Sequence, residues 1–167
     1  MSEQELKLHV PRRASSGVLS EMKKLGAAST RLRALYYDTP DRALVRAKVA
    51  LRVRKEGRRW VQTLKMPGGH ALARIEINHP RPAPELDLSL YEGTPAAELL
   101  SRVGDALIVC YETDVQRLHK QVRTRMGTVE IAFDRGSLRA DKLTLPISEI
   151  EFELVRGSVE AIFVVGQ

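Results

Sequence analysis

The chain has 167 residues, 43% of them hydrophobic and 29% charged, which suits one domain with a fair-sized core. No apolar run approaches the ~18 residues that a membrane helix needs, and the N-terminus lacks the apolar stretch of a signal peptide, so a cytoplasmic protein is expected. The net charge of +6, from 27 Lys and Arg against 21 Asp and Glu, favours an anionic partner, while 5% aromatic residues leave little for base stacking.

In chain order, residues 4–10 read as a strand that Pro11 ends. Residues 15–25 read as a helix, with Val18, Met22 and Leu25 on one apolar face and Gly26 as its stop. Residues 30–37 follow as a strand and 38–41 as a turn. Strands at 49–55 and 59–66 flank Glu56-Gly57-Arg58, a hairpin loop. Pro67-Gly68-Gly69 is a second turn, 72–78 a further strand, and 79–93 a proline-rich connection. Thr94 is read as the cap of a short helix reaching Val103, with Pro95 at its first position. Four strands are then expected at 106–111, 116–124, 128–134 and 143–154, with turns at 125–127 and 135–137. A helix over 159–165 closes the series, and the chain stops inside that apolar run, so a truncation within the helix is expected. Cys110 is the lone cysteine: it excludes an intramolecular disulfide and is expected as a buried core thiol.

Alternate residues of a strand share a face, and here one face is repeatedly charged. Glu3, Glu5 and Lys7 oppose Leu6 and Leu8; Arg52 and Arg54 oppose Leu51 and Val53; Arg74 and Glu76 oppose Ile75 and Ile77. Arg117, His119 and Arg123 oppose Leu118 and Val122; Glu130 and Asp134 oppose Ile131 and Phe133; Glu149, Glu151 and Glu153 oppose Ile150 and Phe152. Lys65 shares a face with Thr63 and Val61. Strand by strand this describes a sheet with one face in water. As a set it does not: the positions are mostly Arg and Glu, and three carboxylates in a row repel unless cations sit among them. Closing the sheet into a barrel with the charged faces inward resolves this. Its apolar faces would then lie under helices. A lumen of oxygen ligands suits Mg2+ or Mn2+, and arginine forks suit phosphate. Together they describe a site for a metal-bound polyphosphate.

The same residues resemble the CYTH superfamily, the triphosphate tunnel metalloenzymes. Glu3-Gln4-Glu5-Leu6-Lys7 fits its N-terminal Glu-x-Glu-x-Lys. The likeness continues, in order, through Tyr36-Tyr37-Asp38-Thr39-Pro40, Leu51-Arg52-Val53-Arg54, Thr63-Leu64-Lys65, Arg74-Ile75-Glu76, the segments 112–117 and 130–136, and Glu149-Ile150-Glu151-Phe152-Glu153-Leu154. A five-residue pattern alone is weak; the ordered series over nearly the whole chain is specific.

The resemblance implies an α+β, mainly β, fold: an eight-stranded antiparallel β-barrel forming a tunnel, with helices packed outside, spanning 1–167 as one domain. It implies substrate contacts from Lys7, Arg52, Arg54, Lys65, Arg74 and Arg117. It implies metal-site acids at Glu3, Glu5, Glu76, Glu130, Asp134, Glu149, Glu151 and Glu153, with Mg2+ or Mn2+ as cofactor. Glu5, Lys7 and Lys65 are expected to carry catalysis. Tyr37 and Asp38 are read as structural, Arg58 and Arg59 as a solvated hairpin tip, Trp60 as packing. His9, His70 and His79 are read as surface or loop positions, and His119 as a supporting residue. The implied activity is hydrolysis of inorganic tripolyphosphate. Class IV adenylate cyclase, thiamine triphosphatase and a non-catalytic polyphosphate-binding module stand as alternatives. Nucleic acid is not expected as a partner, because the basic residues share faces with carboxylates. A fused helical CHAD domain is a possible partner beyond Gln167.

Overall fold

The structure is a computed structural model that describes residues 2–70 and 73–166. Its strands are β1 (Ser2–His9), β2 (Ala28–Asp38), β3 (Ala50–Glu56), β4 (Arg59–Pro67), β5 (Ala73–Arg81), β6 (Ile108–Arg123), β7 (Gly127–Ala140) and β8 (Leu143–Gly157). They close into one antiparallel barrel in the order β1-β5-β4-β3-β2-β6-β7-β8. The expected α+β barrel of eight strands is therefore what the chain forms. Helices α1 (Arg12–Lys24), α2 (Ala43–Arg46), α3 (Ala97–Val103) and α4 (Glu160–Val165) lie outside it.

The apolar strand faces point outward and are covered in two lobes. One lobe joins Leu6, Leu118, Ile131, Phe133 and Phe152 of β1, β6, β7 and β8 to Met22 of α1 and Ile162 of α4. The other joins Leu51, Leu64 and Met66 of β3 and β4 to Leu44 of α2, Leu100 of α3, and Tyr91 of the 3-10 turn at Leu88–Tyr91. The α1 stripe is Ala14, Val18 and Met22, spaced by one helical turn. Burying these side chains leaves the other strand faces no choice but the lumen.

Helix α1 begins at Arg12 on the Pro11 cap, three residues earlier than the periodicity suggests. It ends as expected at Gly26, whose φ of +73° a side chain would resist. Leu25 caps that end and is exposed rather than part of the apolar face. Helix α2 was not anticipated. Its first amides need acceptors, and the buried Asp38 carboxylate takes hydrogen bonds from the N–H groups of Thr39, Leu44 and Val45. The structural reading of Asp38 agrees with that geometry.

Helix α3 starts at Ala97, not Pro95, because Thr94 closes a turn instead: its Oγ1 donates to the Tyr91 carbonyl. The two strands expected at 106–111 and 116–124 are one, β6, and the turn expected at 135–137 lies inside β7. Gly136 is a close-approach glycine. A Cβ there would collide with the Asp114 carbonyl of β6, so the residue type reflects strand contact rather than a turn. Leu72, expected at the start of β5, lies outside the described residues. Cys110 is half-buried on β6 and belongs to neither lobe, which corrects the expectation of a core thiol. His79 is not a free surface residue: its ring meets Tyr91 edge-on with centroids 5.6 Å apart. Among the described residues no helix is long and apolar enough to cross a membrane.

Candidate active site

The lumen encloses a void of about 120 Å3, lined by Lys7, Arg52, Arg54, Lys65, Glu76, Arg117, Asp134, Glu149, Glu151 and Glu153, together with Leu32, Tyr36, Thr113, Val115 and Ile147. These come from all eight strands. Strand register assembles them: Lys7 stands opposite Glu151, Glu5 opposite Glu153, Lys65 opposite Glu76, and Arg117 opposite Asp134.

Acids crowd the β1–β8 side. One oxygen from each of Glu3, Glu5 and Glu153 lies within 4.8 Å of the others. Both oxygens of Glu3 and Oε2 of Glu5 are buried without a hydrogen-bond donor. The nearest cation is Lys65, whose Nζ lies 2.9 Å from Glu3 Oε1, off the line of a hydrogen bond, and 3.7 Å from Glu5 and 4.0 Å from Glu76. One ammonium thus serves three carboxylates. Burial, with Glu76 alongside, pushes Glu3 up to about 8 against the pull of Lys65. Burial and Glu151 raise Glu5, and burial with the charges of Glu151 and Glu76 pushes Glu153 up to about 7. Burial opposes ionisation of Glu151 too, but Lys7 and Arg117 outweigh it and hold that group down. Such buried, unpartnered oxygens, with no nitrogen or sulfur donor among them, fit a hard divalent cation.

The facing wall is basic. Arg52 reaches Glu76 at only 4.0 Å and keeps a buried Nε without an acceptor. Arg54 donates from Nε to Glu56 at 2.9 Å. Arg117 forks Asp134 through two bonds of 2.8 Å. Lys7 is half-exposed, 3.6 Å from Glu151.

Several expected residues sit apart from this centre. Arg74 stands opposite Glu3 in the register but sends its guanidinium to the Lys48 carbonyl at 3.4 Å, outside the void. Glu130 faces the lumen beside Glu153 but outside the void, 3.9 Å from His119, whose Nε2 bonds Thr30 Oγ1 at 3.1 Å. Arg123 is exposed at the end of β6. Tyr36 was missed as a site residue. Its ring lines the void and stacks on Tyr111, with centroids 4.5 Å apart. The signal was its place two residues beyond Ala34 on the same face as Leu32, a face with no charge to mark it.

A larger cavity lies elsewhere: a groove of about 560 Å3 on the outer wall, beside Trp60, Pro84, Arg33, Glu112 and Asp114. Its outward residues alternate with the lumen residues of the same strands, and its charges are already paired, Arg31 with Asp114 and Arg139 with Glu112. The tunnel, though smaller, has the unpaired groups that chemistry needs.

The fold is thus a closed antiparallel barrel with its apolar core outside and acids and bases gathered within. The chain belongs to the CYTH domain family, whose pattern matches residues 1–167. It is similar to an inorganic triphosphatase of Haemophilus influenzae, 34% identical over 134 residues, a match covering 77% of this chain and 37% of the relative. The chain thus spans a little over a third of that relative's length. Among solved structures, a Bacillus halodurans protein provisionally described as an adenylate cyclase superposes with a TM-score of 0.66 at 21% identity, covering 99% of this chain and 86% of its own. A Hippeastrum protein with a dominant triphosphatase activity superposes with a TM-score of 0.57 at 19% identity, covering 98% and 83%. These two likenesses establish the fold.

Proposed function

We propose that the tunnel hydrolyses a triphosphate with the help of a divalent cation, inorganic tripolyphosphate giving pyrophosphate and phosphate. The observation that carries this reading is segregation. Unpartnered buried carboxylate oxygens of Glu3 and Glu5 stand on β1 with Glu153 of β8 beside them, Arg52 of β3 keeps a buried Nε without an acceptor, and Arg52 and Glu153 line one void. A phosphate chain carrying a metal ion would complete both sides at once. The triphosphatase relative supports the same activity. The size of the void favours a bare phosphate chain. At about 120 Å3 it is well below the ~300–1,000 Å3 typical of sites for larger organic ligands.

In this reading Glu3, Glu5 and Glu153 would hold Mg2+ or Mn2+, with Glu76, Glu149 and Glu151 in support and Glu130 and Asp134 further out. When bound, the ion would offset phosphate charge and acidify a coordinated water. Arg52, Arg54, Lys65, Arg117 and Lys7 would grip the chain and stabilise charge on the transferred phosphoryl and the leaving pyrophosphate, with Arg74 at the rim. Glu5, whose carboxyl burial and the charge of Glu151 push up, would position the attacking water and take its proton.

The test is a substrate panel of tripolyphosphate, ATP, thiamine triphosphate and long polyphosphate with Mg2+ or Mn2+, reading phosphate and cyclic AMP. Tripolyphosphate should be turned over best. Glu5→Gln and Lys65→Ala should each cut phosphate release by at least ~100-fold in folded protein. Unchanged turnover in both variants, or cyclic AMP as the main product from ATP, would overturn the reading.

A further inference from the structure

Glu56 is an acid on the lumen face that the metal site leaves unused. It ends β3, two residues beyond Arg54 and so on the same face, but it does not line the void. Its cross-strand neighbour is Arg59, directly opposite in the β3–β4 register. The carboxylate goes instead to Arg54, whose Nε donates to Glu56 Oε2 at 2.9 Å, and Arg59 is left in solvent.

Arg54 needs that partner more than Arg59 does. Ala34 of β2 and Val61 of β4, its neighbours in register, offer no polar side-chain atom. Thr113 lies beyond Ala34 in the same row and lines the void, but among the described residues its hydroxyl makes no hydrogen bond to Arg54. Burial and the charges of Arg52 and Arg117 lower Arg54 below the ordinary arginine value, against the pull of Glu56. Without the carboxylate, a long side chain with like charges beside it would swing toward the mouth and water.

The bond is made in a way that leaves Arg54 usable. A guanidinium is planar, so fixing its Nε–H direction fixes the whole fork. Glu56 takes the Nε alone. Among the described residues both Nη groups are without a protein acceptor, on a side chain that lines the void.

Resting on the reading that the tunnel takes a triphosphate, we propose that Glu56 is a positioning residue: it holds the Arg54 guanidinium by its Nε edge so that the Nη groups meet oxygens of the phosphate chain. It touches neither metal nor substrate. The sign of its effect is distinctive. A carboxylate near an anionic ligand repels it, so if Glu56 acted by charge alone its removal would tighten binding. As a support for Arg54, its removal loosens binding.

The experiment is calorimetric titration of the whole chain with diimidotriphosphate, whose P–N–P links resist hydrolysis, in the presence of Mg2+. Glu56→Ala should bind about tenfold more weakly, the scale of the rotamer freedom that an unheld arginine must lose. Glu56→Gln keeps an oxygen acceptor for the Nε and drops the charge, and should restore most of that affinity. In an Arg54→Ala background, Glu56→Ala should weaken binding no further. The melting temperatures of the Glu56 variants should match the wild type, because the Glu56 side chain is 34% exposed and water screens the pair. Wild-type or tighter affinity in Glu56→Ala overturns the assignment and leaves the tunnel reading intact. So does Glu56→Gln binding no better than Glu56→Ala, a loss that persists without Arg54, or one that tracks a lower melting temperature. If the wild type does not bind the analogue, the tunnel reading itself fails, and this inference falls with it.

Discussion

The barrel wall carries arginines and carboxylates on both faces, and the two faces use them differently. Outside, each acid has its own partner. Arg31 forks Asp114 at 3.0 and 2.7 Å, and Arg139 meets Glu112 at 2.6 Å, all in contact with water. Inside, Glu3, Glu5 and Glu76 share the single ammonium of Lys65, while Arg52 stands across the void with Glu76 no closer than 4.0 Å. The Asp114 carboxyl is held below its usual range by Arg31, whereas burial pushes Glu3 up to about 8. Opposite charges at the surface have been allowed to meet. In the lumen Arg117 meets Asp134 and Arg54 meets Glu56, but the β1 acids share one lysine and Arg52 is held 4.0 Å from Glu76, so part of the free energy of pairing is left for a ligand to supply.

Breaking the interior fork of Arg117 on Asp134 should have the largest effect on stability. Arg117→Met leaves Asp134 buried without its fork and should cost about 3 kcal/mol or more in urea denaturation. Arg117→Met/Asp134→Leu should recover most of that loss. If the double variant is no better than the single one, the fork is not what the lumen depends on at that height.

The crowded acids predict the opposite sign. Glu3 has a folded value raised above its unfolded one, so between them the folded state holds a proton that the unfolded state has released. Stability from this group is therefore full below about pH 4.5 and is lost as pH rises through about 8. Glu3→Gln removes the penalty and should stabilise the metal-free protein at pH 8 by on the order of 2 kcal/mol, with little gain at pH 5. A gain that does not grow with pH would show that Glu3 is not carrying buried charge. For the same reason Mn2+ affinity in titrations should rise from pH 6 to pH 8, with proton release on binding.

Which residues share a face was legible in the sequence, because the period of a strand fixes it. Which side of the sheet that face occupies was not, since a solvated exterior and a solvated lumen have the same alternation. The grouping of Glu149, Glu151 and Glu153 without interleaved cations gave the direction, and the ordered likeness to a known family supported it. Depth along the tunnel was not legible at all. Glu130 and Arg74 have the right parity yet sit outside the void, because their height depends on the stagger between strands, which is set by the whole barrel. Gly136 misled for a local reason. Arg-Gly-Ser carries turn chemistry, but here the glycine makes room for the Asp114 carbonyl of the adjacent strand. Tyr36 was hidden by an apolar stave, since strand propensity alone accounts for a tyrosine between Leu35 and Tyr37.

The smallest effect is expected on the outer face, and it sharpens the comparison most directly. Asp114 accepts both bonds of the Arg31 fork and has Arg33 at 3.8 Å, a denser set of contacts than any single lumen acid enjoys. By contact count it should matter more than Glu3. By physics it should matter less: water screens the pair in the folded state and solvates both groups equally well in the unfolded state. Asp114→Asn should therefore shift the urea midpoint less than either lumen substitution and leave tripolyphosphate turnover at the wild-type rate. Its effect should shrink further in high salt, and also as pH falls through the depressed value of the carboxyl. A shift as large as that of Arg117→Met would mean that pairing, and not burial, governs what these charges contribute, and the contrast between the two faces would lose its basis.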